Sequence, residues 1–184
     1  MTIPDDKNSA GQLDPDTKAR LISLYKKFVW ADGLRREYQR VYARDQEFIS
    51  SGLAQKTIGS FEEAFESDMY MCLWFSVLYV VIEGWPALRM RYDQLTPLLR
   101  SPNKELLKDF RDANFHPTDW RDDRLDALVQ KGKESYEWVV EVTNAFREFF
   151  KHVAQTDRAA RRRSTLSKAR ARLFDVFHCL FHRE

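Results

Sequence analysis

MYMCLWFSVLYVVI, residues 69–82, is a run of 14 residues in which Ser76 is the sole side chain outside the apolar and aromatic set. A helix apolar on every face is either surrounded by other helices or sits in lipid. Crossing a bilayer takes about 20 residues, so the run reads as the central core helix of a folded domain and not as a membrane segment. A buried strand over YVVI is the competing reading. Length opposes it, and so does Ser60-Phe61-Glu62-Glu63 just upstream, a capping box with Ser60 at the cap and Glu63 three residues on.

The run closes in Glu83-Gly84-Trp85-Pro86. A carboxylate ending the most buried helix is costly unless paired, so a cation is expected to approach Glu83, and Arg111 is the candidate. The plainer reading has Glu83 fraying into solvent beside Gly84. Residues 87–100, ALRMRYDQLTPLLR, read as a short helix or irregular connection broken at Pro97.

Next comes SPNKELLKDFRDANFHPTDW, residues 101–120. Ser101 caps a helix here, Pro102 occupies its first turn, and Leu106, Leu107 and Phe110 form its buried stripe. Pro117 disfavours helix at the residue before it, so the helix is expected to stop near His116, beside unpaired carbonyls that favour a cation. Arg111 and Asn114, three residues apart, share a neighbouring surface. An arginine, an amide and a helix-terminal histidine can serve phosphate chemistry, the first as a fixed bidentate donor and the last as a proton carrier near neutral pH. A solvated helix end explains the same three residues without chemistry.

Outward toward the N-terminus, Asp14-Pro15-Asp16 opens a helix. Leu21, Leu24, Tyr25, Phe28 and Val29, then Leu34, Tyr38, Val41, Tyr42, Phe48 and Ile49, follow at helical spacing. The result is one long helix, or two in line across Gly33, ending at Ser50-Ser51-Gly52. Residues 1–13 read as a loose arm. Outward toward the C-terminus, Thr118 or Asp119 caps a helix carrying Leu125, Leu128 and Val129 as far as Gly132. Residues 134–155 then present Tyr136, Val139, Val140, Val142, Ala145, Phe146, Phe149, Phe150 and Val153 as another amphipathic helix.

The expected fold is therefore all-α, a four- to five-helix antiparallel bundle over residues 14–157. Residues 158–184 follow as a basic amphipathic helix. Arg158, Arg161, Arg162, Arg163, Lys168, Arg170 and Arg172 occur with no acid between them, before an apolar stripe from Leu173 to Phe181. That stripe docks on the bundle or on a second subunit, the arginines contact RNA, or the whole lies on a membrane surface, in that order of preference.

Net charge is +2 but unevenly placed. Residues 1–157 hold 22 Lys and Arg against 26 Asp and Glu, a net of −4, and residues 158–184 hold 8 against 2, a net of +6. With 184 residues, 32% of them charged and only 6 Gly and 6 Pro, one compact helix-rich domain is expected. Cys72 and Cys179 suggest idle thiols and not a disulfide framework, and the N-terminus lacks the pattern of a secretory signal, so a cytoplasmic setting is expected. No glycine-rich phosphate loop, HExxH or CxxC occurs, and no metal or cofactor is expected. His178 and His182 are four apart but lack a completing acid or Cys, and His152 reads as ordinary.

Arg111-Asp112-Ala113-Asn114-Phe115-His116 resembles the signature of the HEPN superfamily of small helical proteins, in which an Arg, a polar residue and a His lie on one helix with four to six residues between Arg and His; here four intervene. The resemblance extends over roughly residues 14–155. It implies a metal-independent endoribonuclease acting on single-stranded RNA, the RNA's own 2′-hydroxyl attacking the adjacent phosphate. His116 would be general acid or base, Arg111 would stabilise the phosphorane, and Asn114 and Glu83 would orient them. It further implies a two-fold homodimer facing two motifs into one cleft, a toxin–antitoxin or antiviral setting, and an inhibitory protein partner. Many active members carry an aromatic hydroxyl two residues after the His, where this chain has Thr118. The rival expectation is a non-catalytic HEPN-like bundle that binds a protein or a nucleotide, with Arg111 pairing Glu83 for structure.

Overall fold

The computed structural model describes residues 14–51, 61–116 and 123–156, and among them every regular element is helical. The fold is all-α. Its helices are α1 (Pro15–Ser50), α2 (Phe61–Gly84), α3 (Leu95–Leu98), α4 (Asn103–Phe115) and α5 (Asp123–Gln130), with a 3₁₀ turn at Trp85–Leu88 after α2. A sixth, α6, spans residues 133–156. The chain divides into two compact units, Pro15–Arg147 and a second made of Met1–Asp14 with Glu148–Glu184. In the second unit Phe149 and Phe150 meet edge to face at 5.1 Å, and Lys151 pairs with Glu148 at 2.7 Å.

α1 runs unbroken through Gly33. Its buried residues are Leu21, Leu24, Phe28, Ala31, Tyr38 and Val41, a three-and-four spacing that makes a narrow coiled-coil-like seam. Tyr25, Val29, Tyr42 and Phe48 share the helical period yet are exposed, at 48%, 43%, 47% and 38%. A single seam suffices because α1 lies along its neighbours and is not enclosed by them. α2 antiparallels α1. Arg44, late in α1, pairs with Glu66, early in α2, at 3.0 Å, and a Cβ on Gly84 would lie 2.7 Å from Leu24 Cδ1 at the other end. Glycine is what permits that close approach.

α6 completes the core. Tyr136 lies 6.3 Å from Tyr38 and Phe146 lies 6.3 Å from Phe28, so α6 ascends as α1 descends. Trp74, fully buried, joins Tyr38 at 5.8 Å and Tyr136 at 6.1 Å, while Trp85 meets Phe146 at 5.7 Å, so α6 runs parallel to α2. Burying each such side chain is worth about 1.5–3 kcal/mol. Polar clamps fasten the same faces: Asp32 in α1 accepts from Arg35 at 3.1 Å and from Arg147 in α6. Burial raises the Asp32 carboxyl, but hydrogen bonds from Arg147 and Arg35 overcome it and hold the pKa below its ordinary value.

The central run 69–82 is less enclosed than its composition suggests. Burial is continuous only around Trp74, Phe75, Ser76, Leu78, Tyr79, Val81 and Ile82, while Met69 at its start is 48% exposed. Among the described residues Glu66–Leu88 is the one stretch long and apolar enough to cross a membrane, and half of its most apolar window is buried inside the fold. The arm 1–13, the capping box at Ser60, the cap at Thr118 or Asp119, and the basic segment 158–184 with its eight Lys and Arg and with His178 and His182 all lie outside the described residues.

Candidate functional site

α4 begins where Ser101 and Pro102 direct it. The Ser101 Oγ accepts from the Asn103 backbone N–H at 3.2 Å, and the Pro102 carbonyl accepts from Glu105 and Leu106. Asn103, Leu107, Phe110 and Ala113 form the buried face, with Leu106 only half-buried. Phe110 meets Phe75 of α2 at a tilt, ring centres 5.7 Å apart, and Lys131 reaches the Asn103 side chain at 3.1 Å, so α4 is fixed at both ends of that face. The helix ends at Phe115 with His116 as its C-cap, at φ −136° and ψ 61°. The His116 N–H donates to the Asp112 carbonyl at 2.7 Å, and its own carbonyl accepts from Arg124 at 3.3 Å.

Arg111 is held from three sides. Its Nε lies 3.0 Å from Asp112 Oδ1 without the alignment of a hydrogen bond, its Nη2 lies 3.9 Å from Glu83 Oε1, and its guanidinium sits 5.0 Å above the Tyr79 ring. The side chain keeps 21% exposure, so the cation is mostly withdrawn from water while Glu83, at 59%, is largely solvated. Burial pushes the Tyr79 phenol up, reinforced by the carboxylates of Glu83, Glu105 and Asp112 and opposed by Arg111. The surroundings of Arg111 are therefore acidic as well as aromatic.

The structure brings Arg111, Glu83, Asp112 and Tyr79 together. Asn114 stands apart from that group, because its Nδ2 donates to the Phe110 carbonyl at 2.9 Å within the helix. His116 is exposed, and its imidazole makes no hydrogen bond or ion pair among the described residues. Five residues at 100° each place Arg111 and His116 about 140° apart around a regular helix axis. The left-over turn at His116 carries the imidazole off that regular path. Tyr79 was not evident from sequence as part of the site, although it precedes Glu83 by four residues, the spacing that puts two side chains on one helix face.

A second feature precedes α4. Arg91, Asp93, Thr96, Pro97 and Arg100 line an open depression in the connector between α2 and α4. The connector is pinned beneath by buried Leu88 and Leu95 and by Trp138 Nε1, which donates to the Leu98 carbonyl at 3.0 Å. Arg89 there takes a left-handed conformation, φ 52°.

No protein-family model, curated protein or solved structure matches this chain.

Proposed function

We propose that the protein is a metal-independent endoribonuclease of the HEPN type, acting on single-stranded RNA. The observation that carries this reading is the end of α4: an exposed imidazole free of described partners, following by five residues a guanidinium that Glu83 approaches from the preceding core helix. In the reaction the 2′-oxygen bonds to the adjacent phosphorus and the P–O5′ bond breaks. The 2′-hydroxyl loses a proton and the 5′-oxygen gains one, leaving a cyclic phosphate and a free 5′-hydroxyl. His116 is general acid or base, Arg111 offsets charge on the phosphorane, and Glu83 is a positioning residue; Asn114, turned to its own helix backbone, has no part in it. One His and one Arg make a sparse site, so a two-fold homodimer that faces two copies of the motif across one cleft belongs to the proposal. A cytoplasmic toxin–antitoxin or antiviral role, with a protein partner that restrains the nuclease, fits such chemistry.

A second reading has its own support. Arg111 is four-fifths withdrawn from water and engaged by Asp112, Glu83 and Tyr79 within one protomer, which suits a non-catalytic module that binds a protein or a nucleotide. Incubating the full chain with unstructured RNA in chelator separates the two. The nuclease reading expects products ending in a cyclic phosphate, and none from Arg111→Ala. RNA left intact by the unmodified protein, or fragments bearing 5′-phosphates, would overturn it.

A further inference from the structure

Among the described residues of the main unit, arginines divide into two groups. Most reach an acidic partner, as Arg20 does with Asp16, Arg40 with Glu37 and Arg147 with Asp32, and Arg124 donates to a carbonyl. Arg89, Arg91 and Arg100 have no ion pair or side-chain hydrogen bond, and all three lie in the connector between α2 and α4. Arg91 and Arg100 line the same depression, both exposed, and the one carboxylate there, Asp93, lies beyond ion-pair distance of either. The backbone beneath them is anchored by buried Leu95 and by the Trp138 hydrogen bond, so the two guanidiniums project from a fixed base and not from a loose loop.

We propose that this depression is a phosphate-binding site, with Arg91 and Arg100 as its donors. A planar guanidinium presents paired N–H groups that match two phosphate oxygens, and an arginine with no internal acceptor keeps that fork available. Two of them around one concavity suit a doubly contacted phosphate. The donors come from arginine alone, which favours a geometrically defined oxyanion over diffuse attraction. The phosphate belongs to the backbone of a single RNA strand or to a free nucleotide. The assignment stands independently of cleavage at His116, because it concerns binding at the opposite end of α4.

The test uses the full-length protein with a labelled oligouridylate followed by fluorescence anisotropy over a series of salt concentrations. Arg91→Gln/Arg100→Gln is expected to weaken binding about tenfold, and to lower the slope of log affinity against log salt by roughly 0.7, the loss of one neutralised single-strand phosphate. Arg20→Gln/Arg40→Gln removes the same charge from paired, exposed arginines and is expected to change neither quantity. Calorimetric titration with ATP and with pyrophosphate distinguishes the sources: heat abolished by the Arg91/Arg100 change assigns the site to a free phosphate compound, and silence in both assigns it to the strand. Unaltered affinity and slope in the Arg91/Arg100 variant would overturn the proposal. So would equal weakening in the Arg20/Arg40 variant, or displacement of the RNA by polyglutamate at matched charge.

Discussion

At the C-terminal end of α4 a guanidinium is enclosed by two carboxylates and a tyrosine ring, whereas in the connector before α4 the guanidiniums of Arg91 and Arg100 are exposed, with no acceptor among the described residues. The same residue type does different work in the two places. Arg111 contributes to the fold whatever else it does, since its removal uncovers Tyr79 and leaves Asp112 unbalanced. Arg91 and Arg100 contribute almost nothing to the fold, and their value lies in what they can meet. The clamp around Asp32, where arginines from α1 and α6 converge on one acid, is the structural extreme of that scale.

The contrast is testable as a graded series in stability. Asp32→Ala leaves Arg35 and Arg147 without their shared carboxylate, with only the Gln39 and Asn144 amides, and should cost about 2–3 kcal/mol, seen as a lowered denaturation midpoint in urea. Arg111→Ala should cost about 1–2 kcal/mol from the lost ring contact and stem packing, a drop in melting temperature of about 2–8 °C. Arg91→Gln/Arg100→Gln should stay within about 0.5 kcal/mol of the parent protein by the same scan. A loss in that last variant as large as in Arg111→Ala would erase the distinction between the two regions.

Acid sharpens the scale further. Folding lowers the Asp32 pKa, so the folded state holds this proton more weakly than the unfolded chain does. The group's contribution is present above its ordinary value of 3.8 and is lost as pH falls through the lower folded value. Urea midpoints measured between neutral and acid pH should fall less steeply in Asp32→Asn than in the parent.

Sequence reached the architecture through periodicity, and missed where periodicity is silent. The three-and-four spacing of Leu21, Leu24, Phe28 and Ala31 identifies α1, but a period cannot say how wide a stripe its neighbours cover, and Tyr25 and Val29 stay in water. The all-apolar run at 69–82 marks α2, yet composition cannot tell which of its turns others reach, and Met69 is left exposed. Arg111 does approach Glu83, at 3.9 Å, but the ground for expecting it, a carboxylate costly to bury, does not hold: Glu83 is 59% exposed, as the plainer reading had it. Tyr79 beneath that cation reads from sequence as one more core aromatic. Arg91 and Arg100 read as nothing in particular, since being unpaired is a property of three dimensions and not of the chain.

His116 offers the most direct test of the central proposal, because its exposed imidazole, without a partner among the described residues, separates chemistry from folding. His116→Ala and the parent protein would be compared for cleavage of single-stranded RNA in chelator, with melting temperature recorded on the same samples. The account expects the rate to fall by about 10²–10⁴ while the melting temperature holds. Equal rates in the two proteins, or a loss of cleavage matched by a loss of folded protein, would contradict it.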